Sequence, residues 1–79
     1  MEPPAHLGPH TAEQTWITDG PNSGGIRGWL LWHGHLFAFE NEGHTGTVQP
    51  GISVAAFLDR YGESHDRRLQ QIVQDLRDR

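Results

Sequence analysis

Residues 27–40, Arg-Gly-Trp-Leu-Leu-Trp-His-Gly-His-Leu-Phe-Ala-Phe-Glu, constrain the fold more than any other part of the chain. Two runs of aromatic and aliphatic residues flank His33 and Gly34. A two-residue link containing glycine suits a tight hairpin, because the turns that match strand twist need positive φ, which glycine adopts without strain. With His33 and Gly34 at the centre, Trp32 registers with His35, Leu31 with Leu36, Leu30 with Phe37, Trp29 with Ala38, Gly28 with Phe39 and Arg27 with Glu40. The last pair sets opposite charges across the strands, which favours this alignment independently of the turn.

Alternation then sorts the side chains by face. One face holds Leu30, Trp32, His35, Phe37 and Phe39 and is predicted to lie under the helices; the other holds Trp29, Leu31, Leu36 and Ala38. A sheet covered on one side normally alternates apolar and polar residues, so two apolar faces require two covers. The N-terminal region, with Trp16 or Ile17, could close the second face within the chain. Alternatively, a second copy or another protein docks on Trp29, Leu31 and Leu36 with Arg27 at the rim, a composition that interface anchors favour. The second account makes Arg27, Trp29, Leu31 and Leu36 the expected partner-binding residues.

Around the hairpin, residues 14–18 are β-branched and aromatic and read as a strand, and residues 19–25, Asp-Gly-Pro-Asn-Ser-Gly-Gly, read as the loop that follows. Asn41, Glu42 and Gly43 end the hairpin, and residues 45–49 form either a short edge strand or a loop before Pro50 and Gly51. Beyond them the apolar period changes from two to 3.6. Val54, Phe57, Leu58 and Tyr61 mark one helix between Ser53 and Gly62, and Leu69, Ile72, Val73 and Leu76 mark a second with Ser64 as its N-cap. The predicted class is α+β: an antiparallel sheet of three or four strands followed by two helices packed on one face.

Composition narrows the rest. With 34% hydrophobic residues concentrated after Glu13, residues 1–13 have little to offset their ordering entropy and read as a flexible tail on a single domain spanning 14–79. A chain of 79 residues without cysteine stabilises its small core by packing or association alone. The net charge of −4 runs against a nucleic-acid partner, and no apolar run approaches the ~20 residues of a membrane span, so a cytoplasmic protein is expected. All six basic residues are arginine, for which codon bias in a GC-rich genome is the preferred explanation over bidentate carboxylate or phosphate contacts.

Six histidines invite a metal hypothesis, with His33, His35, Glu40 and His44 as ligands. The spacing of the first three is similar to the first motif of the cupin family, but Gly28 and Gly46 each sit one residue out of place, no second motif follows and the chain is too short for that barrel. The hairpin register moreover leaves His33 in the turn and His35 on a strand, so their imidazoles need not converge. Arg60, Arg67 and Arg68 are the best candidates for phosphate contacts, but Asp59, Glu63 and Asp66 are interleaved with them, a pattern usual for a solvated helix face. No nucleophile motif or phosphate-cradling loop is present. The expectation is a non-enzymatic protein-interaction module, regulatory or accessory, without cofactor, metal or catalytic residues; metal binding and nucleic-acid binding are the alternatives.

Overall fold

The computed structural model describes residues 1–22, 25–42 and 45–79. Five strands precede two helices: β1 (Gln14–Asn22), β2 (Gly25–Trp32), β3 (His35–Glu42), β4 (Thr45–Val48), β5 (Ile52–Ser53), α1 (Val54–Tyr61) and α2 (Arg67–Arg77). All pairings are antiparallel, in the order β1-β2-β3-β4, with β5 also on β3. β4 pairs with the stretch from Phe39 to Glu42 and β5 with His35 and Leu36, so the two short strands lie in line along one side of β3. The α+β class is as expected; residues 45–48 take the strand alternative, and β5 is additional.

The hairpin register agrees with the sequence expectation at every pair from Trp32↔His35 to Arg27↔Glu40. Both turn residues have positive φ, 48° at His33 and 74° at Gly34, as a two-residue turn requires. The Arg27 Nε lies 3.3 Å from Glu40 Oε1. Where a loop was expected after residue 18, β1 instead continues to Asn22, with register shifts between Ile17 and Asp19 and between Asp19 and Asn22. Such bulges accommodate unpaired residues inside a strand, and Gly20 (φ 97°) and Gly25 (φ 92°) supply conformations that other residues rarely adopt.

The helices cover the opposite face from the one predicted. Trp16, Leu31 and Leu36 pack against Phe57 of α1 and Ile72, Val73 and Leu76 of α2, with Trp29 at the margin. The physical reason lies in β1. Its register sets Trp16 opposite Trp29, adding an indole to the face that α1 and α2 cover. β5 then delivers the chain to α1 beside Leu36, and Val54 N donates to Gly34 O at 3.0 Å.

Residues 1–13, expected as a flexible tail, cross the other face as a strap. Leu7 is buried among Leu30, Phe37 and Phe39, with Ala12, Ile26, Trp32 and Val48 at the edges of the cluster. The strap contributes few apolar groups but satisfies its backbone locally: Leu7 N donates to Pro4 O, and Thr11 N and Ala12 N both donate to Gly8 O. Prolines that already restrict the unfolded chain reduce the entropy lost on ordering, a saving that hydrophobic content alone does not register. One end is fixed where Gly51 N donates to Met1 O at 2.7 Å, the other where Glu13 N donates to Leu31 O at 2.9 Å.

Helix starts follow capping chemistry. Ser53 Oγ accepts from Ala56 N at 3.1 Å, as expected for α1. For α2 the cap is Asp66 rather than Ser64: Asp66 Oδ1 accepts from Arg68 N at 2.8 Å, while Ser64 Oγ accepts from Asp66 N at 3.1 Å and shapes the preceding turn. A carboxylate is also favoured over a hydroxyl by the positive end of the helix.

Candidate functional site

Of the four predicted docking residues, Leu31 and Leu36 are core, whereas Trp29 is half-buried and Arg27 exposed, both lining an open pocket with Thr18, Tyr61 and Leu69. Leu36 is fully buried and Leu31 is 3% exposed beneath the helices. Trp29 meets Phe57 and Tyr61 edge to face, with ring centroids 5.0 and 5.9 Å away. Arg27 is exposed but committed to Glu40. With helices on one side and the strap on the other, Leu31 and Leu36 are withdrawn from any docking surface.

The candidate ligands for a metal are also separated. His35 and Glu40 lie an odd number of residues apart on β3 and therefore point to opposite faces. His35 Nδ1 donates to the His33 carbonyl at 3.0 Å, and the His33 ring stacks on Trp32 with centroids 3.9 Å apart. His44 lies outside the described residues. Among the described residues no three His, Cys, Asp or Glu side chains are grouped to hold a metal.

What remains open is the edges of the sheet. An edge strand presents unpaired N–H and C=O groups to any chain able to align with them. The β3 side is interrupted: β4 and β5 have four and two residues. Pro50 between them has no N–H to offer, and Gly51 exchanges backbone hydrogen bonds with Met1 in both directions. β1 is nine residues long, and among the described residues no backbone hydrogen bond reaches it from outside the sheet.

Side-chain bonds from α2 and from Arg79 just beyond it hold the helix alongside β1. Trp16 Nε1 donates to Asp75 Oδ2, Arg68 Nη1 to Thr18 O and Arg79 Nη1 to Gln14 Oε1, each at 2.8 Å. Between helix and strand runs an open groove of ≈ 460 Å³, lined by Thr15, Trp16, Ile17 and Thr18 on one side and Arg67, Arg68 and Gln71 on the other. Four consecutive β1 residues line it, which identifies it as an edge feature, since a face would contribute alternate residues. Ile17 is 46% exposed there, one of two exposed large hydrophobic residues among the described residues.

The two arginines of the groove differ in state. Arg68 is bound to Asp66 through Nη2 at 3.1 Å and Nε at 3.3 Å. These bonds hold the Asp66 carboxyl below the ordinary aspartate value and raise the guanidinium. Arg67 is exposed and has no carboxylate partner among the described residues. Arg60, grouped with them on sequence grounds, lies instead over the Tyr61 ring, 6.0 Å from its centroid, away from the groove.

Sequence reasoning singled out the hairpin and missed the β1 edge. The available signal was Trp16 beside Ile17: adjacent apolar residues on a strand must face opposite ways, so only one of them can join the helix-covered core. No protein-family model, no curated protein and no solved structure matches the chain.

Proposed function

We propose that this chain is a small, non-enzymatic, cytoplasmic interaction module, a regulatory or accessory protein that docks a protein partner by strand addition at β1. The observation that carries the reading is the asymmetry of the sheet, whose longest edge strand receives no backbone hydrogen bond on its outer side among the described residues and is flanked by a groove. In strand addition, main-chain hydrogen bonds supply affinity and alternate side chains supply specificity. The mechanism is steric, since a segment paired with β1 is no longer available to other contacts.

The regular part of the edge is short. The bulge after Ile17 leaves residues 14–17 in continuous register, and the Thr18 carbonyl is taken by Arg68. Half of the backbone groups of a strand face each side, so about four hydrogen bonds are available, each with a net value of about 1 kcal/mol. That sum is comparable to the ~4 kcal/mol lower estimate for the entropic cost of association. Side-chain contacts must therefore supply most of the affinity, and the complex is expected to be transient.

The test uses an extended, strand-forming peptide titrated into the isotopically labelled chain, followed by backbone amide shifts. Perturbation is expected at residues 14–18 and is abolished when alternate peptide amides on one side are N-methylated but not when those on the other side are. Equal tolerance of methylation on both sides would show that no strand is added.

A further inference from the structure

Resting on strand addition at β1, we infer that the partner segment alternates acidic and apolar residues, with its carboxylates on the α2 side facing Arg67 and its apolar side chains beside Ile17. The pattern follows from the two sides of the edge. A strand laid against β1 places every second side chain on the helix-covered face and the others on the strap face. On the helix side the groove is lined by Arg67, Arg68 and Gln71 and by no carboxylate. Arg68 is already neutralised by Asp66 and anchored to Thr18, which leaves Arg67 as the groove cation without a carboxylate partner among the described residues.

On the strap side the parity is that of Ile17, which pairs with Gly28. Gly28 has no side chain to cover it, and a Cβ there would collide with the Trp16 carbonyl oxygen. The Phe39 ring fills the space over Gly28, yet Ile17 remains 46% exposed, a surface that a β-branched or aliphatic side chain on an added strand would bury. The Asp75 carboxylate beside the groove is occupied by Trp16 Nε1 and Gln71 Nε2, so the exposed charge on the helix side is that of Arg67.

The experiment compares three capped hexapeptides in which valine alternates with glutamate, glutamine or lysine, titrated into the labelled full chain at low and moderate salt. The glutamate peptide is expected to bind at residues 14–18 about fivefold more tightly than the glutamine peptide, the ratio that corresponds to about 1 kcal/mol for an exposed pair, and the lysine peptide more weakly still. The preference should shrink with added salt. Arg67→Glu should invert the order of the glutamate and lysine peptides, whereas Arg77→Glu at the far end of α2 should leave the order unchanged. Equal affinity of the glutamate and glutamine peptides, or an unaltered order in Arg67→Glu, would overturn the acidic specificity while leaving strand addition intact. Failure of all three peptides to perturb residues 14–18 would overturn strand addition as well. Tighter binding of a single-stranded oligothymidylate at the same amides would assign the groove to nucleic acid instead.

Discussion

The two edges of this sheet are built differently, and the difference separates an edge the chain closes for itself from one it leaves for something else. Along β3 the outer positions are filled by two short strands, broken by Pro50 and tied at Gly51 to Met1 of the strap. These are devices by which sheets avoid unwanted pairing. Along β1 the protection is partial: a bulge follows Ile17, one carbonyl is taken by Arg68 and the Thr15 hydroxyl donates to Pro9 O of the strap, but the stretch before the bulge carries no proline and, among the described residues, receives no backbone hydrogen bond from outside the sheet. A sheet of this size could have closed both edges with the same means. That only one is closed is what directs attention to β1.

The comparison can be broken from the closed side. Phe37 is fully buried beneath the strap, and a Cβ on Gly51 would lie 2.6 Å from its ring. Phe37→Ala is expected to cost about 3–5 kcal/mol in denaturant unfolding and to raise amide exchange in β4 and β5 well above that in β2. Leu7→Ala should cost about 2–3 kcal/mol by the same route. It should release the strap without disturbing the helix-covered face, so that exchange increases at residues 45–53 and stays low for Ile72 and Val73. A matching increase in α2 would show that the two faces are not independent. Gly51→Ala, which crowds Phe37 at the junction of β4 and β5, is expected to cost about 1–3 kcal/mol.

From the open side the effects on stability are smaller. Ile17→Lys should change unfolding free energy by no more than about 0.5 kcal/mol, because the side chain is half exposed. It should nonetheless abolish peptide-induced shifts at residues 14–18, since a lysine on an edge opposes pairing. The smallest expected effect concerns Asp66, whose folded-state pKa is lowered by Arg68. A depressed carboxylate stabilises the fold above its unfolded pKa, and that contribution is lost as pH falls through the folded value. The difference in Tm between wild type and Asp66→Asn should therefore be present at neutral pH and vanish on acidification; a constant difference would show that the charge of Asp66 is not its source.

Much of the fold could be read from residues. The hairpin register followed from a turn that needs positive φ and from one cross-strand charge pair, both local requirements that tertiary context rarely overrides. The helices followed from apolar spacing, although Ser64 and Asp66 compete for the α2 cap and only geometry decides between them. The face assignment was not accessible in the same way. Both faces of the hairpin are apolar, so alternation fixes which side chains go together but not which set lies under the helices. The decision rests on Trp16, whose parity depends on a β1 register that two bulges make unpredictable from residue pattern. The strap was missed because hydrophobic content was weighed without the local hydrogen bonds around Gly8 and Thr11. The β1 edge could not be foreseen while residues 19–25 were taken for a loop, since the strand was then too short to matter.

The central claim is that β1, and not the β4 and β5 side, receives a partner strand. The most direct measurement is the set of nuclear Overhauser contacts between the bound glutamate–valine peptide and the backbone of the labelled chain. The account predicts cross-strand contacts from the peptide to alternate residues of Gln14, Thr15, Trp16 and Ile17, and none to Thr45 through Ser53. A contact ladder along β4 and β5, or contacts confined to the side chains of α2, would contradict it.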